Sequence, residues 1–595
     1  MPQKKNVFRR LSGPGLLGSM LLCHAPLHAQ LGLPGSPGSP GAPGTPGAFG
    51  APVRVSPNDQ VLKTWQQSNL GGAVPALTRG EDGSTRLDWR GGVSLDVYSN
   101  DIQSAGGSAN TPLRSGTFYK SLVTSDLRSI NENDAIDHFQ VVVTNSDDRA
   151  VLSQNQYQIN QLQVGRTAAD YQVALGDIAP NFSNLGSALG VRGVYGQRQL
   201  GDTTVHGYAG QVAENWEALS SVVPSNQYIR DVHGVKVETA FGYNLRTYAT
   251  AQAFSEREAP IMAQPGFSPL GSSHSMSVGF QYQKDQWSLT GETAGSSFQD
   301  NGTSDRQGRA TVLDASWRGE SVALRGGYHH IDTEYTSLSF AAQPGIHETY
   351  IGADWTAASW LTLATDIRKS KNSTLANAYS ESTFVDTDAL TLRANINFGP
   401  EHPGWMVSLQ TVEAQSTDSA AFASRRSDVS AMLNYASPIL NAGLGLGQGK
   451  LTNEAYPYYD SATNNWSLNI GSNFSDAQPD AAPTWSAGVN FFAASQTQRL
   501  LAGDGGESNN TNYTLALTGQ RIGLGGLNLL LTAGETTQPN GGPSLHLRGA
   551  QLDAVFPMKG QNTFKLYVRS TRRYMDDPLL SAQEDVFGMQ LIYNF

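Results

Sequence analysis

From Arg86 onward the chain alternates. In Arg86–Tyr98 the apolar positions are Leu87, Trp89, Val93, Leu95 and Val97, opposite Arg86, Asp88, Arg90, Ser94, Asp96 and Tyr98. Ala389–Phe398 sets Leu390, Leu392, Ala394, Ile396 and Phe398 against Thr391, Arg393, Asn395 and Asn397. Trp466–Phe474 and Thr563–Arg569 repeat the pattern. A period of two marks strands with one apolar and one polar face. The stretches run to about ten residues, the length a tilted strand needs to cross a bilayer. Their second faces are charged or amide-rich, as suits a water-filled lumen. Trp89, Trp405, Trp466 and Tyr593 fall near segment ends, where interfacial aromatic girdles sit. About 26 such segments fit between residues 85 and 595. The pattern predicts an all-β protein, a large antiparallel transmembrane β-barrel of about 22 to 26 strands, with an even number expected. Polar stretches near 99–116, 257–274, 372–387, 415–425, 499–510 and 575–585 are the expected long outer loops.

The last segment is the most regular. Phe587, Met589, Leu591, Tyr593 and Phe595 alternate with Gly588, Gln590, Ile592 and Asn594, and the strand finishes on an aromatic. This resembles the C-terminal signal of bacterial outer-membrane β-barrels. The resemblance implies a Gram-negative outer-membrane location, outer-membrane lipid and lipopolysaccharide as surroundings, and the barrel-assembly machinery as a partner in biogenesis.

Composition agrees with that reading. Charged residues are only 15% of the 595, glycines number 63 and aromatics reach 9%, yet no apolar run approaches the twenty or so residues of a membrane helix. Apolar and polar residues that alternate cancel in any window average. The net charge is −11 and no basic stripe is present, which argues against nucleic acid as a partner. Residues 1–29 read as a signal peptide: Lys4, Lys5, Arg9 and Arg10, then Leu16–Leu22, then Leu27-His28-Ala29 before a cut at Gln30. The only cysteine, Cys23, falls within it. The mature chain is therefore expected to have no disulfide, thiol chemistry or cysteine-bound metal. Residues 30–83 form a spacer in which Gly32–Pro52 repeats glycine at every third position, mostly with proline in the third slot. This is collagen-like, and the expectation is an extended periplasmic tether that reaches a periplasmic partner. Residues 84–595 are the barrel.

Catalytic signatures are missing. Gly443–Lys450 has the glycines of a phosphate loop, but Leu451 stands where Ser or Thr is needed and no helix pattern follows. It reads instead as a strand with a thin inner wall. In Tyr328-His-His-Ile-Asp332, adjacent histidines of a strand point to opposite faces, so only His330 and Asp332 can share a site, too few for a specific metal. No catalytic residue, metal or cofactor is expected.

Leu175–Gly193 has a Gly-Asp, a loop with Pro and Ser, then Arg192-Gly193 opening the next strand. It resembles a stretch of the fimbrial usher barrel, a family of pores that export pilus subunits. Ushers carry periplasmic domains for which this chain lacks room. Across that hairpin Asp177 and Arg192 are expected to form a lumen ion pair, acting as a gate or structural latch. Arg368, Arg393, Lys565 and Arg569 are expected to face inward, either as a basic track or as ordinary lumen charge balanced by acids. TonB-dependent receptors need a plug larger than the spacer here. The lipopolysaccharide-inserting barrel needs a lipid-carrying domain and disulfides. The function expected is an outer-membrane channel that exports a bulky polymer, pilus-type protein or exopolysaccharide, without catalysis. The alternatives are a diffusion porin of about 16 to 18 strands and a structural or adhesive surface protein.

Overall fold

Alternation along each strand supplies one wet and one greasy face, and closing the sheet on itself gives each face its own solvent. The computed structural model describes residues 87–595, apart from short stretches within the connections between strands, the longest of which are 105–114, 217–229, 257–270, 338–343, 375–382 and 477–483. The expected signal peptide, the collagen-like spacer and the start of the barrel segment before Leu87 lie outside the described residues.

A single 26-stranded antiparallel sheet runs from β1 (Leu87–Ser104) to β26 (Ala582–Asn594). Neighbours in sequence pair with each other, and β1 also pairs with β26, which closes the barrel. The last rung is reciprocal: Gly91 N–H donates to Phe595 O at 2.9 Å and Phe595 N–H to Gly91 O at 3.0 Å. The number of strands excludes the porin-sized barrel held as an alternative.

Strands range from 8 residues in β5 (Tyr171–Ile178) to 18 in β1. Several run into stretches expected to be loops. β15 (Leu361–Ser373) and β16 (Phe384–Asn397) take up both ends of 372–387, and β17 (Trp405–Asp418) and β18 (Ala423–Ala436) leave only a short turn within 415–425. The ladder continues there because backbone pairing does not need the period-two pattern, which fades once both faces meet water.

Most connections at one end of the barrel are tight turns. Gly201 and Gly242 take φ of +64° and +63°, and Asp285 takes φ of +51°, the left-handed conformation that a two- or three-residue hairpin demands. Outward-facing aromatics band this end: Trp287 with Trp317 at 6.4 Å, Trp405 with Tyr435 at 4.9 Å, and Trp89 edge-on to Phe595 at 4.9 Å. Trp466 departs from expectation, lying well inside β20 (Ser461–Ser475) rather than at its end. Large apolar residues such as Leu95, Val237, Ile351 and Leu552 are exposed on the outer face.

Candidate functional site

The β5–β6 connection does not stay at the rim. β6 spans Val191–Leu200. Ile178 ends β5 on the inner face and Val191 opens β6 on the same face, both buried. Between them Pro180, Phe182 and Leu185 are buried as well. Phe182 stands edge-on to Tyr208 at 4.9 Å, on the inner face of β7 (Thr203–Val212). It joins an apolar cluster with Val232 of β8 (Arg230–Phe241) and Phe254 of β9 (Leu245–Glu256). Further along, Leu185 packs with Ala294, Ala310, Ile331 and Tyr335. These belong to β11 (Trp287–Asp300), β12 (Asp305–Arg318), β13 (Val322–Ile331) and the connection from β13 to β14 (Ile346–Ala358). The connection is therefore a strap laid across the inner wall from β5 to β13.

Polar contacts fix it. Leu185 N–H donates to Glu292 Oε2 at 3.3 Å, and that oxygen also accepts from Tyr248 Oη at 3.0 Å. Tyr335 Oη and Ser337 Oγ both donate to Leu185 O, at 3.0 and 2.6 Å. Tyr335 reaches this point because its backbone rests on Gly308, where a Cβ would lie 2.2 Å from Tyr335 N. Burial first, and then the Glu292 carboxylate, push the Tyr335 hydroxyl above its ordinary range, so it remains a donor. These bonds satisfy the Leu185 carbonyl and Glu292 Oε2, whereas among the described residues the buried Glu292 Oε1 has no hydrogen-bond partner.

Asp177 and Arg192 do meet, directly opposite in the β5–β6 register with Nε 3.2 Å from Oδ1. Their expected position in the lumen is wrong. Leu175 and Val194, two residues away on each strand, are exposed on the outer face, and a period of two puts Asp177 and Arg192 on that face too. There Asp177 Oδ2 accepts from Leu162 N–H at 2.6 Å and from Trp216 Nε1 at 2.8 Å, and the Arg192 guanidinium lies 5.8 Å from the centre of the Trp216 ring. Gly176, with φ of +110°, permits this approach, since a Cβ would stand 2.0 Å from Leu162 O. The pair clasps the hairpin from outside while the strap runs inside.

Arg368, Arg393, Lys565 and Arg569 all face inward, but on two separate arcs. Arg368 lies 3.5 Å from Glu348, Lys565 3.1 Å from Asp553 and Arg569 3.5 Å from Glu584. Among the described residues Arg393 of β16 has no acid in ion-pair reach. The richest inner-wall charge lies elsewhere, where Arg325 bridges Asp354 and Asp366 at 2.5 Å each and Asp314 accepts from His329 at 2.9 Å and Tyr350 at 2.7 Å. His330 points outward and pairs with Asp332 at 3.1 Å. Among the described residues no cluster of three metal-ligating side chains forms.

No family model matches this chain, and no curated protein matches it. Solved structures do resemble it in fold. The P pilus usher (PapC) translocation pore aligns over 85% of this chain and 99% of its own at 9% identity, with a TM-score of 0.34. A bacterial polysaccharide outer membrane secretin covers 59% and 98% at 10% identity and 0.25. An anion-selective porin from Comamonas acidovorans covers 49% and 90% at 12% identity and 0.28. With TM-scores below 0.5 these likenesses carry no argument, and the fold is read from the closed 26-stranded antiparallel sheet and its exposed apolar outer face. The fold is that of an outer-membrane β-barrel. It is typical of Gram-negative outer-membrane proteins, and in this barrel a strap covers one arc of the inner wall.

The sequence did not single out Phe182, Leu185, Glu292, Tyr335, Ser337 or Trp216. The available signal was apolar residues in connections that ought to be polar: Phe182 sits between Asn181 and Ser183, and Leu185 between Asn184 and Gly186.

Proposed function

We propose that the protein is a channel of the Gram-negative outer membrane that exports a bulky polymer, with the strap as its gate and no catalytic step. The observation that carries this reading is a strap pinned to the β5–β13 arc of a barrel far larger than a solute pore needs. Spacing and tilt give 26 strands a wall circumference of roughly 160 Å, against about 100 Å for 16 strands. Such a lumen leaks unless it is obstructed, and an inward-folded segment held by a few polar bonds is a reversible obstruction. The inner wall of the covered arc is buried, with Gln252 and Glu292 each 5% exposed, whereas Asn528 and Thr532 on the far side are exposed. In this proposal outer-membrane lipid and lipopolysaccharide surround the apolar band. The barrel-assembly machinery inserts the chain through the terminal alternation ending at Phe595, and residues 30–83 reach a periplasmic partner.

Planar-bilayer conductance of the purified mature chain, with and without residues 30–83, tests the reading. Silence or brief flickers from the intact chain are expected. Steady large steps from both forms would make the protein a diffusion pore instead. Opening only on removal of 30–83 would place that segment in the gate.

A further inference from the structure

On five consecutive strands the inner face carries no ionisable side chain. These are β19 (Leu440–Asn453), β20, β21 (Trp485–Leu500), β22 (Glu507–Arg521) and β23 (Gly525–Thr537). Their outward positions are marked by exposed Leu444, Trp466, Val489, Leu517 and Leu527. Among the described residues, every Asp, Glu, Lys and Arg of these strands shares that outward parity: Lys450, Arg499, Glu507, Arg521 and Glu535. Inward positions hold Asn, Gln, Ser, Thr and Gly with a few apolar residues. Charge returns at both borders, as Arg426 with Asp428 at 2.5 Å on β18 and as Asp553 with Lys565 beyond β23.

The amides also lie against glycine. A Cβ on Gly447 would stand 2.1 Å from Asn465 Oδ1, one on Gly471 2.1 Å from Asn441 Oδ1, and one on Gly534 2.8 Å from Asn512 Oδ1. Each cross-strand glycine is thus the space an amide occupies, and the wall stays low while offering donors and acceptors together. Phe492, paired with Thr514, is the one aromatic on this inner face.

We propose that this arc is the track for an uncharged, hydroxyl-rich glycan strand, an inference that rests on the export-channel reading. Vicinal hydroxyls need donors and acceptors side by side, which amides supply, and the C–H face of a sugar ring packs on an aromatic such as Phe492. An anionic polymer would gain from fixed cations, and this arc has none. A protein chain with charges of both signs would leave them facing a wall that answers neither. A low wall without deep pockets suits a strand that slides, and water bridges the contacts that are not direct.

Equilibrium binding to the detergent-solubilised full chain, as wild type and as Gly186→Val to release the strap, tests this. The probes are dextran, a soluble mixed-linkage β-glucan, dextran sulfate and unfolded casein. The two neutral glucans are expected to bind the released form, and dextran sulfate and casein are expected to bind at least tenfold more weakly. Phe492→Ala and Asn512→Asp should each weaken glucan binding about tenfold, equivalent to ~1.4 kcal/mol, while heat-modifiable mobility on gels stays that of the wild type. If Asn512→Asp fails to fold, Asn469→Asp on β20 takes its place. Absence of glucan binding in both forms, or tighter binding of casein or dextran sulfate, would overturn the glycan track. A Gly186→Val chain that conducts but binds no glucan would remove the track and leave the channel. A chain that binds glucan but never conducts would do the reverse.

Discussion

A Cβ on Gly186 would stand 2.4 Å from Gln252 Nε2 and 2.6 Å from Ser183 Oγ, so a side chain there must displace both, and with Gln252 the hydrogen bond it accepts from Tyr208 Oη. Gly186→Val is therefore expected to lift the strap at a cost of about 1–3 kcal/mol, which single-channel recording would read as an open time at least about fivefold longer. Tyr335→Phe removes one of two donors to Leu185 O and should cost about 1 kcal/mol, a roughly fivefold rise in opening. Wild type carries a pH signature of the same bond. The neutral phenol is the donor, and its pKa is raised in the fold. Its contribution is thus complete below the ordinary tyrosine value of about 10 and is lost only as pH climbs through the higher folded value. Open probability should stay flat between pH 7 and 9. A rise across that window would mean another group holds the strap. Asp177→Asn makes the opposite kind of test. Because the clasp lies on the outer face, the channel is expected to remain closed, while amide exchange across 171–200 quickens. Opening by this substitution would contradict the outward placement.

Strands and their faces were legible from the sequence because period two is a local property. Leu390, Leu392 and Ile396 against Arg393 and Asn395 can be assigned without any long-range information. Three kinds of element were not legible. Strand ends ran on where polar residues occupy both faces, as from Lys371 to Ser373 and again at Ala423–Arg425. The strap was hidden because burial of Phe182 and Leu185 depends on Tyr208, Ala294 and Tyr335, which no local window contains. The position of Asp177 is subtler: its pairing with Arg192 follows from the hairpin, but the face on which the pair lies depends on the parity shared with Leu175 and Val194. The uncharged arc was visible in principle, since it needs only parity, but it emerges when five strands are laid side by side. Gly308 offers a prediction at this scale. A valine there would collide with the backbone of Tyr335, and hydrogen exchange should show the β13–β14 connection leaving the wall while β12 and β13 keep their protection.

The molecule as a whole closes at one seam. Trp89 and Phe595 pack at that seam, and a Cβ on Gly91 would lie 2.8 Å from the Phe595 ring. Deleting Phe595, or placing leucine at Gly91, is expected to reduce the heat-modifiable, folded fraction recovered from membranes, and unchanged recovery would show that the final rung is dispensable. The seam also differs in kind from other strand pairs. Ser94 and Gln590, hydrogen-bonded across it, are 496 residues apart in sequence, whereas every other hairpin joins neighbours. Bringing such distant ends together costs about 5–6 kcal/mol of chain entropy by loop-closure arithmetic, and no partial barrel gains anything in return at that edge. A chain one strand short would also present its final strand to β1 in the parallel sense. The joint therefore works as a checksum: length, parity and register must all be correct before Phe595 can settle on Gly91.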